Sequence, residues 1–220
     1  MRTRMKAVLL VPTLAWAIPS MAAGQACIGA PTGDGQFAIA GAVGFAEGGT
    51  SYGAGVTADL TGPISLFGNY SLVTIDDIDE NANQFGGGIA MELSVPSVSI
   101  CPVAGASYTR WSDSSAGVEA TVTATVIPVG LGIGRRLVAG NNLFVTLHAV
   151  PQFLHIRGTV EGSNGGVSVS VSDSENEFGA DLGARIGTAS FYAGGGVSLT
   201  TVEDSDPVFQ LIVGLVVGGR

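Results

Sequence analysis

The chain has 220 residues, is 46% hydrophobic, and sets nine Lys and Arg against eighteen Asp and Glu for a net charge of −9. Three of the nine cations, Arg2, Arg4 and Lys6, fall in the first six residues, so the remainder has no basic stripe of the kind nucleic-acid binding requires. Past the N-terminus no apolar run approaches the about 18 residues of a transmembrane helix, and the hydrophobicity needs another explanation.

Residues 1–26 read as a cleaved secretory signal. The cations lead into an apolar run over residues 7–18 and then into small residues, with Ala22 and Ala26 as the two cleavage positions. The remaining roughly 195 residues, 27–220, are expected to form one domain in which 27–35 is a periplasmic N-terminal segment. In an exported chain Cys27 and Cys101 are expected to pair as a disulfide.

From there the sequence alternates with period two, broken at strand-length intervals by Gly, Asp, Asn and Ser. The first strand, residues 36–46, sets Phe37, Ile39, Val43 and Phe45 against Ala38, Ala40, Ala42 and Gly44. The second, 51–60, sets Tyr52, Val56 and Leu60 against Gly53, Gly55, Thr57 and Asp59. The third, 64–74, has Ile64, Leu66, Tyr70 and Leu72 on one face, with Phe67 breaking the contrast. The fourth, 84–94, opposes Phe85, Ile89, Met91 and Leu93 to Gln84, Gly86, Gly88 and Glu92.

The fifth and sixth strands, 98–110 and 119–133, are less regular. Pro102 and Pro128 call for a bulge or kink, and the apolar parity of the sixth switches near Pro128. The seventh, 143–157, has apolar residues on both faces. The eighth, 177–187, alternates cleanly, and 189–200 and 208–217 complete a set of ten, with eight the competing count. This predicts an all-β fold, an antiparallel up-and-down transmembrane barrel.

The connections agree with that reading, because short turns alternate with longer acidic ones. Asp76, Asp77, Asp79 and Glu80 lie in one long connection, Glu161, Asp173 and Glu175 in another, and Glu203, Asp204 and Asp206 in a third. Residues 134–142, with Arg135 and Arg136, read as a moderate turn on the short side. Phe45, Tyr52, Tyr70, Phe85, Tyr108, Phe153, Phe178 and Phe209 share outward parity and the loop-side end of their strands, as an aromatic girdle would.

On these residues, and on glycine-rich strands such as 85–93 and 191–199, the mature chain resembles small bacterial outer-membrane β-barrel proteins of the opacity-type, glycine-rich class. The resemblance implies a bacterial outer-membrane location, lipid and the barrel-assembly machinery as partners, and a monomer. One departure is the C-terminal Val216, Val217, Gly218, Gly219 and Arg220, where such barrels end in an aromatic residue.

Asp59, Glu92, Asp181, Arg185 and His148 share the inward face and are expected to form a polar network filling the lumen, with Arg185 paired to one of the three carboxylates. No catalytic, cofactor or metal site is expected. His148 and His155 have no adjacent nucleophile motif, the Asp76–Glu80 acids lack a calcium-loop pattern, and Gly130, Gly132 and Gly134 precede no helix. The leading functional expectation is therefore a non-enzymatic barrel, structural or surface-interacting, with surface contact at residues 74–83 and 158–176; within the latter, residues 162–174, alternating Val167, Val169 and Val171 with serines, read as a hairpin that extends strands seven and eight beyond the membrane. A narrow channel or binder of small apolar molecules is a second reading, and a soluble periplasmic ligand-binding barrel a third.

Overall fold

A computed structural model describes residues 26–29, 36–60, 63–75, 81–95, 98–115, 118–139, 142–164, 167–202 and 205–218. The signal segment and the Asp76–Glu80, Glu203 and Asp204 acids lie outside the described residues. A short 3-10 turn, Ala26–Ile28, precedes ten strands: β1 Phe37–Ala46, β2 Gly49–Asp59, β3 Ile64–Ile75, β4 Ala82–Met91 continued past Glu92 by Leu93–Val95, and β5 Val98–Ser115. The last five are β6 Val118–Val138, β7 Phe144–Asn164, β8 Val167–Gly187, β9 Phe191–Thr200 and β10 Val208–Val217.

Each strand pairs antiparallel with its sequence neighbour, and β1 pairs with β10 from Phe37↔Val217 to Phe45↔Phe209, which closes the sheet into a barrel. Closure leaves no edge at membrane depth, where an unpaired backbone group has no water to satisfy it. β1 and β2 are joined by Glu47 and Gly48 alone, and Gly48 takes φ +83°, a left-handed conformation open to glycine without steric cost.

The exterior is apolar. On β10, Phe209, Leu211, Val213, Leu215 and Val217 all point out and are exposed, while Val208, Gln210, Ile212 and Val216 are buried inside. The same division runs through β1, β2 and β4, and on β6 it leaves Ile127, Val129, Leu131 and Ile133 facing out. A water-soluble barrel would carry polar residues there. Nine tilted residues reach about 20–25 Å, the height of the apolar band of an outer-membrane barrel.

Sequence and structure part company at β5 to β8. These strands run 18 to 21 residues, about twice the length needed to cross the membrane. Residues 158–164 and 167–176 are the upper parts of two paired strands, in register from Asn164↔Val167 downward, as the hairpin expected over 162–174 requires and longer than expected at its base. Likewise residues 134–138, with Arg135 and Arg136, continue β6 rather than forming a turn. The prolines shift no register. Pro102 stays in the ladder opposite Leu131, and pairing merely lapses at residues 127–128 and 150–151, where Pro128 and Pro151 offer no N–H, before resuming in the same frame.

The apparent parity switch in β6 has a simple cause. Even-numbered residues face inward from Val122 to Gly134 with no break at Pro128: Val122, Ala124 and Val126 above, Gly132 and Gly134 below. The interior itself changes from glycine-lined to apolar towards the loop side. The apolar residues on both faces of β7 have the same explanation, since Leu154 and Ile156 join Val126 and Val202 in one buried cluster.

Candidate functional site

The lumen is filled in three layers. At the turn side Cys27 and Ile28, both fully buried, pack with Ala90, Cys101, Val150, Phe67 and Val103. Cys27 is disulfide-bonded to Cys101 on β5, with the Cα atoms 5.9 Å apart. The N-terminal segment expected across the periplasmic mouth therefore begins inside the barrel; residues 30–35 lie outside the described residues. Phe67, which broke the pattern of β3, points inward onto this turn.

Glycines make the turn's space. A Cβ on Gly132 or Gly134 would collide with the backbone carbonyls of Cys27 and Ala26, and one on Gly183 or Gly29 would meet the His148 ring. Eight strands already give a lumen that side chains just fill, and ten give a wider one, so a piece of backbone occupies the remainder. Small inward residues were the only signal of this turn in the sequence, and they are equally compatible with an empty lumen.

The middle layer is polar. The Asp181 carboxylate accepts from Ser198 Oγ at 2.5 Å and Gln152 Nε2 at 3.0 Å, and Gln210 Nε2 donates to Ser198 Oγ at 2.9 Å. Nearer the turn side, where β2 ends and β4 is interrupted, Asp59 accepts from Ser65 at 2.6 Å and Glu92 from Ser99 at 2.5 Å. All three carboxylates named with Arg185 accept from hydroxyl or amide donors, and the Arg185 guanidinium lies over the Tyr192 ring, 5.6 Å from its centroid. Tyr192 in turn lies where a side chain on Gly214 would stand. Between His148, Asp181, Arg185, Gln210 and Ile212 remains a cavity of about 10 Å³, room for about one water.

The upper layer is the Val126, Leu154, Ile156 and Val202 cluster, in which Val202 comes from the β9–β10 connection folding over the mouth.

The eight aromatics named from the sequence all face outward and are exposed. Tyr70, Phe85 and Tyr108 lie side by side on β3, β4 and β5, with Tyr70 and Phe85 ring centroids 5.0 Å apart. Phe45 pairs with Phe209, and Phe153 meets Phe178 edge-on at 5.6 Å. Their amphipathic or bulky rings suit the headgroup boundary.

Above this level β5 to β8 continue as a four-stranded sheet. Its outer face is rich in hydroxyls, with Ser112 bonded to Thr121 at 3.2 Å and Thr159 to Ser172 at 3.1 Å. His155 also faces out, its Nδ1 2.9 Å from Asn176 Oδ1, with no nucleophile in this pair. No cluster of three or more metal-ligating side chains occurs among the described residues.

No protein-family model and no curated protein matches the sequence. Among solved structures the chain is similar to the translocator domain of the autotransporter NalP from Neisseria meningitidis, at 12% identity and TM-score 0.49 over 82% of this chain and 86% of that one. It is also similar to the attachment invasion locus protein Ail of Yersinia pestis, at 14% identity and TM-score 0.41 over 84% of this chain and 100% of that one. A third likeness is to the outer membrane protease OmpT of Escherichia coli, at 8% identity and TM-score 0.43 over 82% and 91%. The membrane assignment stands on the closed strand pairing and the apolar exterior.

Proposed function

From a closed barrel seated in the bacterial outer membrane, we propose a non-enzymatic protein that conducts nothing and carries a β-sheet platform above the membrane for surface contact. A signal over residues 1–26 exports it, the barrel-assembly machinery inserts it, and it works as a monomer surrounded by lipid. The observation that carries this reading is the lumen, closed by a disulfide-held turn, then a hydrogen-bonded polar layer, then an apolar layer. The cavity between His148, Asp181, Arg185, Gln210 and Ile212 holds about 10 Å³, too little at that level for a small apolar molecule, which favours this reading over the narrow channel and the small-molecule binder.

The eight outward aromatics seat the barrel against the lipid headgroups, and the inward polar residues Asp59, Glu92, Asp181, Arg185 and His148 hold its wall in register from within. Contact with other molecules falls to the extension of β5 to β8, which includes residues 158–164 and 167–176, and to the 74–83 connection.

Planar-bilayer recording of the detergent-folded protein tests the closed lumen. The expected result is silence at potentials that open porins; reproducible single-channel steps would overturn it.

A further inference from the structure

β8 is paired on both sides only in its lower half. Against β7 it is bonded along its whole length, but β9 reaches no higher than Thr200↔Gly179, and the last link on that side joins Phe178 to Thr201. Beyond it Thr201 Oγ1 donates to the Glu177 carboxylate, and among the described residues no strand pairs with Val167–Asn176 on the β9 side. Backbone groups alternate between the two edges of a strand, so Phe178 fixes the frame: residues 168, 170, 172, 174 and 176 aim their N–H and C=O at the open side.

Unpaired strand edges are normally protected by charge, proline or a bulge. Here protection starts only at Asp173, whose carboxylate accepts the Ser174 N–H at 2.8 Å. Above it the edge reads Val, Ser, Val, Ser, Val, Ser, uncharged and β-branched, with Val169 and Val171 at 60% and 62% exposure. On the neighbouring strand Gly162 and Gly158 stand opposite Val169 and Asp173, and a Cβ on either glycine would meet nothing within 4 Å. The face that Val169 and Val171 present is open.

We propose that the free edge of β8, residues 168–172, binds an extended polypeptide segment as an added antiparallel strand, one whose alternate side chains are basic and then apolar. The backbone edge specifies the partner's chemistry, since only another extended peptide presents matching donors and acceptors. The side chains set its pattern. Val169 and Val171 are followed on the same face by Asp173, Glu175 and Glu177, so an antiparallel partner places cations opposite the acids and apolar groups opposite the valines. Burial and the like charges of Glu177 and Asp173 hold the Glu175 carboxyl above its usual range, a tension that a basic partner relieves. This inference rests on the proposed surface-contact role and names the partner class for it.

The test uses the full chain folded in detergent and a fluorescent peptide, Lys-Thr-Lys-Thr-Val-Thr-Val, followed by anisotropy. Saturable binding is expected. Ser170→Pro removes an edge N–H without touching the β7 ladder, and should weaken binding about tenfold or more while heat-modifiable gel migration is unchanged. N-methylation of the peptide on its β8-facing amides should do the same to the unaltered protein, which keeps the test decisive if the proline variant fails to fold. Replacing both peptide lysines by glutamate should also abolish binding.

No saturable binding up to about 1 mM, a free energy near the weak end of specific recognition, overturns the proposal. So does equal binding by Ser170→Pro or by the N-methylated peptide. Bilayer silence with no peptide binding removes the edge assignment alone, whereas single-channel steps alongside peptide binding remove the closed lumen and keep the edge.

Discussion

Gly134 and Gly158 are both glycines on inward-facing strand positions, yet their surroundings are opposite. Where a side chain would begin on Gly134 stand the carbonyl of Ala26 and the amide of Cys27, whereas Gly158 has open space. Gly134→Val should therefore expel or distort the N-terminal turn and lower the thermal midpoint in detergent. Gly158→Val should leave the midpoint unchanged or raise it slightly, because valine is the better strand former. Equal effects at the two positions would show that no turn occupies the lumen.

The Cys27–Cys101 bond closes a loop with a sequence separation of 74, for which chain-entropy reasoning gives about 4 kcal/mol of stabilisation. Reduction should accordingly lower the denaturant midpoint, and the paired peptides should be recovered by non-reducing mass mapping. Two free thiols in protein from its native envelope would contradict the bond.

A third prediction concerns Asp181. Asp181→Ala leaves Ser198 and Gln152 without their shared acceptor in the barrel interior and should cost about 1–3 kcal/mol, measured by urea unfolding in detergent. These glycine and carboxylate positions were readable from sequence only as an inward, small and polar face. Which glycine accommodates which neighbour depends on contacts between strands far apart in the chain.

At the scale of elements, the ten strands and their inward and outward faces were legible wherever one face meets lipid and the other a small-residue lumen. β1, β2, β4 and β10 are of this kind. The reading failed where that contrast ends. Above the membrane the outer faces of β5 to β8 turn to Ser and Thr, and the inner faces gain Val122, Val126, Leu154 and Ile156, so the alternation inverts without any change in the strands. Residues 162–174, whose valines alternate with serines, keep enough period-two signal to read as a hairpin extension, whereas residues 134–138, with Arg135 and Arg136, imitate a turn.

Pairing along the full 21 residues of β7 and β8 implies slow amide exchange well above the membrane. Hydrogen exchange should show protection on β7 up to Gly162, and a rapidly exchanging 158–176 segment would restore the loop reading. The same experiment probes charge crowding. The Glu175 carboxyl titrates above its unfolded value, so its ionisation opposes the fold: the cost is absent in acid and appears as pH rises through that value. Glu175→Gln should slow local exchange at neutral pH and have no effect in acid.

For the whole molecule, closure and filling are one problem. Ten strands enclose more space than their own small inward side chains occupy, and the chain fills it with its N-terminal turn, with Arg185, Tyr192 and His148 set against glycines, and with Val202 over the upper mouth. Apolar surface turned outward and polar groups turned inward reverse the order of a soluble protein, which only a bilayer stabilises. The most direct test of the closed membrane barrel is gel migration of the detergent-folded chain with and without boiling. A closed barrel resists the detergent of the gel until heated, so the unheated sample should run ahead of the boiled one; identical migration of the two would contradict it.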